Sequence, residues 1–239
     1  MTQQRHTEGC LICGKELTYV ETPQNAYCYF CGKIAQTHAF CKDGHYVCDS
    51  CHAEEGLVLI TSYATKTQDR DPLSIATEIM RDPSIKMHGP EHHYLVGAAL
   101  LAAYRNAGGT VDFDKALQDI LQRATEIPGG VCGIWGSCGA GIGTGIFISV
   151  ITGASPLSLN EWSLANQMTS ESLAVIARNG GPRCCKRNTY IAIGEAAGFL
   201  KEHFDVSLEL PEHTACEFYQ RNKQCRATDC PFFPSETVY

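Results

Sequence analysis

Fourteen cysteines in 239 residues set the chemistry open to this chain. The densest run is N-terminal. Cys10-x2-Cys13 and Cys28-x2-Cys31 form two knuckles, and Cys41-x3-His45-x2-Cys48-x2-Cys51 follows them. A C-x2-C step bends the backbone so that both sulfurs face one ion about 2.3 Å away, and two such pairs complete a tetrahedral zinc site. Counting His45, the run supplies four ligand pairs, so about two Zn2+ ions are expected. A segment this short would draw its folding energy from them. His38 and His52 are competing ligands.

The second group is Cys132 and Cys138 in GGVCGIWGSCGAGIGTG, with Cys184 and Cys185 in GGPRCCKR. Both stretches read as glycine-rich loops entering helices. A helix N-terminus supplies free N–H groups and positive potential, which favour a thiolate or a bound anion. Arg183, Lys186 and Arg187 add cations that lower a thiol pKa and could bind a small anionic substrate. The four cysteines are therefore candidate redox thiols or metal ligands; buried structural thiols are the alternative. GAGIGTG follows no strand, so it is not a dinucleotide fingerprint.

MHGPEHH places His88, Glu91, His92 and His93 within one turn of a helix start. His92 and His93 point about 100° apart, so both serve one metal only if a partner converges on them. Each is a candidate acid–base group or ligand; a capped, solvated helix end is the plainer reading. The third group, Cys216-x8-Cys225-x4-Cys230-Pro231, offers three thiolates. They could bind zinc with His213 as a fourth ligand, or a [4Fe–4S] cluster with one iron open to another ligand or a substrate. A Cys-Pro step resembles the last ligand of bacterial ferredoxins.

The elements that position these groups read as mainly α: a helical main domain (56–239) behind a small N-terminal module (1–55). About 80 cysteine-free residues separate the first two groups, which places a boundary near 53–70. Asp71-Pro72 opens a helix through Met80. Pro90 opens a second, ended by Gly108-Gly109. Asp112 caps a third, with Phe113, Leu117, Ile120, Leu121 and Ala124 on one face. Gly139–Thr152 is a fourth, apolar all round and so expected at the centre. Asn160 or Ser158 caps a fifth, stopped by Gly180-Gly181-Pro182, and a sixth runs from about Arg183 to Phe204. Short β segments fit Val206–Leu210. No strand–helix alternation supports a parallel sheet.

With 19 Lys and Arg against 26 Asp and Glu, the net charge is −7, and 44% of residues are apolar. That supports a real core and argues against disorder. Residues 1–55 alone hold 4 basic against 7 acidic residues, which disfavours nucleic acid as a partner. The polar N-terminus has no secretory h-region, and the charge-free stretch Ile127–Asn160 has too short a helical part to span a membrane. A cytoplasmic location is expected.

Cys28 to Cys51 resembles the later ligand pairs of a RING-type cross-brace, giving a treble-clef or cross-brace-like module. That resemblance implies one ion on Cys10, Cys13, Cys41 and His45 and a second on Cys28, Cys31, Cys48 and Cys51. GPEHH, GGVCGIWGSCGAGIGTGIF, GGPRCCKRN and NKQC with CPFF, spread over residues 85–234, together resemble a cysteine-rich family of unknown function from archaea and anaerobic bacteria. Its members are sometimes joined to S-adenosylmethionine-dependent methyltransferases. GGVCGIWGSCGAGIGTG is also similar to small redox proteins with a Gly-rich CGA motif. The leading expectation is an iron–sulfur or thiolate-dependent enzyme. It would transfer sulfur, electrons or a one-carbon group, with Cys132, Cys138, Cys184, Cys185, His92 and His93 as reactive groups. A zinc-stapled module recruiting a protein or RNA, or a metal- or cluster-handling protein, is the alternative.

Overall fold

A computed structural model describes residues 9–234. The described residues form one β-hairpin, β1 (Leu17–Tyr27) and β2 (Ile34–Cys41), and then eight α-helices. These are α1 (Asp49–Lys66), α2 (Pro72–Arg81), α3 (Glu91–Asn106), α4 (Phe113–Thr125), α5 (Val131–Ile134), α6 (Gly139–Thr152), α7 (Asn160–Asn179) and α8 (Cys185–Phe204). Two 3₁₀ turns, 219–221 and 227–229, punctuate an otherwise irregular tail. No helix among the described residues is long and apolar enough to cross a membrane.

The hairpin is antiparallel, with Leu17 opposite Cys41 and Tyr27 opposite Ile34, and its register shifts between Tyr19 and Gln24. Such an irregularity bends a ribbon. The bent tip returns to the chain after β2, where Tyr29 N donates to Tyr46 O at 2.8 Å. Cys48 then caps α1, and Cys51 lies in its first turn. The same helix continues to Lys66 and buries Ala53, Gly56, Ile60 and Ala64. The division at 55/56 thus lies inside a single continuous helix, whose apolar positions four apart, Gly56, Ile60 and Ala64, face the body.

At the centre lies α3, not α6 as its apolar composition suggested. Residues 91–104 of α3 are all buried, and the helix packs against α1, α2, α4, α6 and α8. One face of α6 is only half-buried. The α6 glycines serve close approach. A Cβ on Gly139 would strike the His93 ring, and one on Gly143 would lie 2.7 Å from His93 O of α3. On the other side, one on Gly141 would lie 2.8 Å from Leu173 of α7.

Asp71 caps α2 by accepting from Leu73 N at 2.8 Å, and Asp112 caps α4. Leu159 stands at the N-cap of α7 with no side-chain bond; Ser158 Oγ accepts from Ser155 N instead. No strand forms at Val206–Leu210, because no partner strand lies beside it; Val206 N donates to Leu200 O and caps α8.

Candidate metal and thiol centres

Three turns of the N-terminal module share one construction. In each, the leading cysteine donates its N–H to a later carbonyl: Cys10 to Lys15 at 2.8 Å, Cys28 to Lys33 at 2.9 Å and Cys41 to His45 at 2.9 Å. In each, a glycine N–H returns to that cysteine's carbonyl, and Gly14, Gly32 and Gly44 have φ of +71°, +69° and +81°. Glycine adopts this left-handed conformation without Cβ strain. The turns fold side chains inward and bring the ligand pairs together in two interleaved sets. Cys10, Cys13, Cys41 and His45 form one, and Cys28, Cys31, Cys48 and Cys51 the other, each with its ligand atoms within 4.8 Å of one another. Cys13 and Cys41 sulfurs are 3.4 Å apart, and Cys31 and Cys48 sulfurs 3.7 Å. Tetrahedral ligands at 2.3 Å would be spaced about 3.8 Å; a disulfide would bring sulfurs to about 2.05 Å.

Both sets therefore fit a single metal ion each. His45 Nδ1 is buried without a hydrogen-bond partner. Backbone N–H groups of Ile12, Asp43 and Cys48 reach Cys10, Cys41 and Cys28 sulfurs at 3.4 Å. Burial pushes the Cys28 thiol up, but N–H donors from Cys31, Cys48 and Phe30 outweigh it and bring it to about 6. The Asp43 N–H, against a smaller effect of burial, brings Cys41 to about 7. His38 Nδ1 lies 2.9 Å from Val20 O, and His52 faces the body, so neither competing histidine joins a set.

The body holds a second centre. Glu91 is fully buried, its Oε1 accepts from Lys86 N at 2.9 Å, and its Oε2 has no partner. His52 Nδ1, from the first turn of α1, approaches Oε2 at 3.8 Å. His92 Nδ1 lies 3.1 Å from Gly89 O. A carbonyl only accepts, so Nδ1 carries the proton and the buried Nε2 keeps its lone pair. Lys186 is fully buried on α8, with Nζ 3.4 Å from Ile85 O and 5.1 Å from the Phe218 ring centre. Burial raises the Glu91 carboxyl and lowers the Lys186 ammonium, each countered by the charge of the other. Gly89 packs directly on this buried cluster, since a Cβ there would collide with the Glu91 carboxylate.

His92 and His93 diverge as their helical spacing requires. His93 packs on Gly139 of α6, and its buried Nδ1 is unpartnered. His88 Nε2 meets Gln224 Oε1 at 3.2 Å. Cys138 and Cys184 each accept from an amide, Asn188 Nδ2 at 3.3 Å and Asn222 Nδ2 at 3.5 Å.

The thiols of this centre depart from expectation. Cations and helix N-termini were expected to lower them, but burial dominates: it raises Cys132 and Cys184 and pushes Cys185 up to about 12. The three cations also part ways. Arg187 donates to Gly180 O at 2.8 Å and Pro182 O at 2.9 Å, which fixes the GGP loop. Arg183 is exposed and lies 5.5 Å over the Tyr19 ring of β1, so the module folds across the loop that carries Cys184. Lys186 alone of the three points its charge into the body, beside Ile85 O and the Phe218 ring.

In the tail, Cys216, Cys225 and Cys230 line one pocket, and Cys184 forms its fourth thiol wall. His213 is exposed and lines none of it. Sequence reading missed three contributions: His52 to the pocket, Asn222 to Cys184, and Tyr19 to Arg183. Only His52 left a signal, one residue past the last ligand of the module.

A family profile matches residues 60–233. The chain belongs to DUF5714, a family of unknown function. The match takes in the buried Glu91 cluster and the tail pocket and begins inside α1, after the last N-terminal ligand. No curated protein and no solved structure matches the chain.

Proposed function

We propose that the family domain is a metal- and thiol-dependent enzyme acting on a small anionic substrate in the pocket of Glu91, His92, Cys185 and Lys186. The N-terminal module would be a zinc-stapled, treble-clef-like cap over that pocket. One observation carries the reading. Among the described residues, eight buried side-chain atoms lack a hydrogen-bond partner, and five belong to His52, His88, Glu91, His92 and His93. An unsatisfied buried polar atom costs about 1–3 kcal/mol, and a fold that gathers several has a ligand to satisfy them.

The roles follow from chemistry. Lys186 supplies charge for an anion, and Arg183 stays outside, over Tyr19. His92 Nε2 offers a lone pair at neutral pH, and Glu91, raised by burial, exchanges a proton near it. Cys185 supplies a protonated thiol that a base must activate. Sulfur, electron or one-carbon transfer all fit this set. In the module, one set of four thiolates and one of three thiolates with an imidazole favour zinc.

Thermal shift of the zinc-loaded chain against phosphate, sulfate, sulfite, carbonate and acetate tests the reading. At least one anion should raise the melting temperature of the parent and fail with Lys186→Met. No shift from any of them would sink it. The exposed Tyr27, Tyr29, Phe30 and Ile34 at the hairpin tip support a second reading, a protein-binding face. It predicts concentration-dependent association in sedimentation that Tyr29→Ser with Phe30→Ser abolishes.

A further inference from the structure

We infer that Cys184, Cys216, Cys225 and Cys230 are the four ligands of one [4Fe–4S] cluster, bound between the head of α8 and the tail. This deepens the enzyme reading above, by naming the ligands of its metal centre. Three ligands with an open iron were expected from the tail alone; the fold adds Cys184 from 32 residues upstream of Cys216.

Geometry separates a cluster from a single ion. The four cysteines line one partly open pocket, shared with Met87, Phe218 and Asn222. Among the described residues only the two N-terminal sets bring three or more ligand atoms within 4.8 Å of one another. No three of the four tail-pocket thiols meet that limit. One zinc ion would collapse them to about 3.8 Å, whereas a cluster places iron and sulfide between its ligands and keeps them apart.

The surroundings suit thiolate sulfur. Arg187 N donates to Cys184 at 3.4 Å, Phe218 N to Cys216 at 3.4 Å and Ala227 N to Cys225 at 3.4 Å. Asn222 Nδ2 adds a second donor to Cys184 at 3.5 Å. Hydrogen bonds to the sulfurs and local charge set a cluster's potential, and Arg187 and Arg226 line the pocket. The tail closes on itself where Cys216 N donates to Phe232 O at 2.7 Å. Phe232 packs on Tyr190 at 5.2 Å and Tyr219 on Phe233 at 5.0 Å. The ligand loop is thus fixed by aromatic packing at its ends and carries only two 3₁₀ turns between its ligands.

The test uses the full chain, zinc-loaded, purified without oxygen and reconstituted with ferrous iron and sulfide. About four iron and four sulfide per chain should bind beyond the zinc, with a broad absorption band near 400 nm. Cys184→Ser and Cys225→Ser should each lose most of that iron and band while keeping zinc and helical circular dichroism. Cys132→Ser and Cys185→Ser should keep the cluster. Cys225 is half-buried outside the helices, so its variant carries the test should Cys184→Ser misfold. A third zinc without sulfide, no iron uptake by the parent, or equal uptake by Cys225→Ser would each overturn the site. Anion binding abolished by Lys186→Met would stand through any of these, so the two readings fail separately.

Discussion

The hairpin module and the helical body are held together by different means. In the module, Tyr19, Tyr27, Tyr29, Phe30 and Ile34 are all more than half exposed, and its deeply buried side chains are Cys10, Cys28 and Cys41. Its interior is built of candidate ligands. In the body, α3 is wrapped on every side and Leu95, Val96, Leu100 and Leu101 have no solvent contact. Its interior is apolar, at about 25 cal/mol for each Å² removed from water. A single chain thus joins a module lined with candidate metal ligands to a body packed on apolar side chains, and α1 belongs to both.

Metal removal should give the largest effect. Structural zinc in small domains is worth about 10–16 kcal/mol in apparent free energy at neutral pH. Cys41→Ser, or chelation, should therefore unfold residues 10–48 outright. Amide exchange should show protection lost across β1 and β2 and kept across α3 and α8. Equal loss in both regions would erase the distinction. So would protection retained in the hairpin without metal.

The converse break lies in the body. Gly139→Val drives a side chain into the His93 ring where α6 meets α3. Overpacking costs about 1–3 kcal/mol, and the urea midpoint should fall while two zinc ions stay bound. Lost zinc would mean that the module depends on the body more than its own contacts indicate.

What could be read from the sequence was local. The knuckles, the Asp71 and Asp112 caps and the stop at Gly108 each depend on residues within a few positions, and each formed. The two interleaved ligand sets came from the resemblance to a RING-type cross-brace, and the ligand atoms gather in those sets. What escaped was set by packing at a distance. Nothing near residue 60 shows that α1 runs unbroken from Cys51 to Lys66, because its helical face is specified by α3. The thiol shifts went the other way from expectation because burial outweighs adjacent cations, and burial is not written in GGPRCCKR. Cys184 could not be joined to Cys216, Cys225 and Cys230 before the tail was folded back over α8.

Acid should separate the regions by a smaller amount. Burial, with Arg183 nearby, lowers His88 to about 4. The unfolded chain takes up this proton near 6.5, so His88 favours the fold fully above that pH. The contribution fades as pH falls from 6.5 toward 4, by at most about 1.4 kcal/mol per pH unit. His88→Gln should be less steep over that window in urea melts. Subtracting variant from parent cancels proton uptake by the metal-binding thiols, which both share. Equal slopes would take His88 out of the acid limb and leave it to the module thiols and to His52, His92 and His93, which burial also lowers.

The smallest expected effect bears on the joint between the regions. Asp49, in the first turn of α1, accepts from Gly129 N at 2.7 Å, across the gap between the module and the loop before Cys132. The bond is exposed, and its carboxylate also sits at the positive end of α1. Asp49→Ala should cost only about 1 kcal/mol, too little to unfold either region. Its consequence should appear in coupling. With zinc present, Tyr19 under Arg183 ties the module to the loop that carries Cys184, and that tie weakens when the α1 head loses its anchor. Thiol alkylation of Cys132 should then quicken in the variant, while Cys216, shielded by the tail, should react as in the parent. Faster reaction at both would mean that the body itself had loosened; no change at either would mean that α1 alone sets the docking, with Asp49 adding nothing to it.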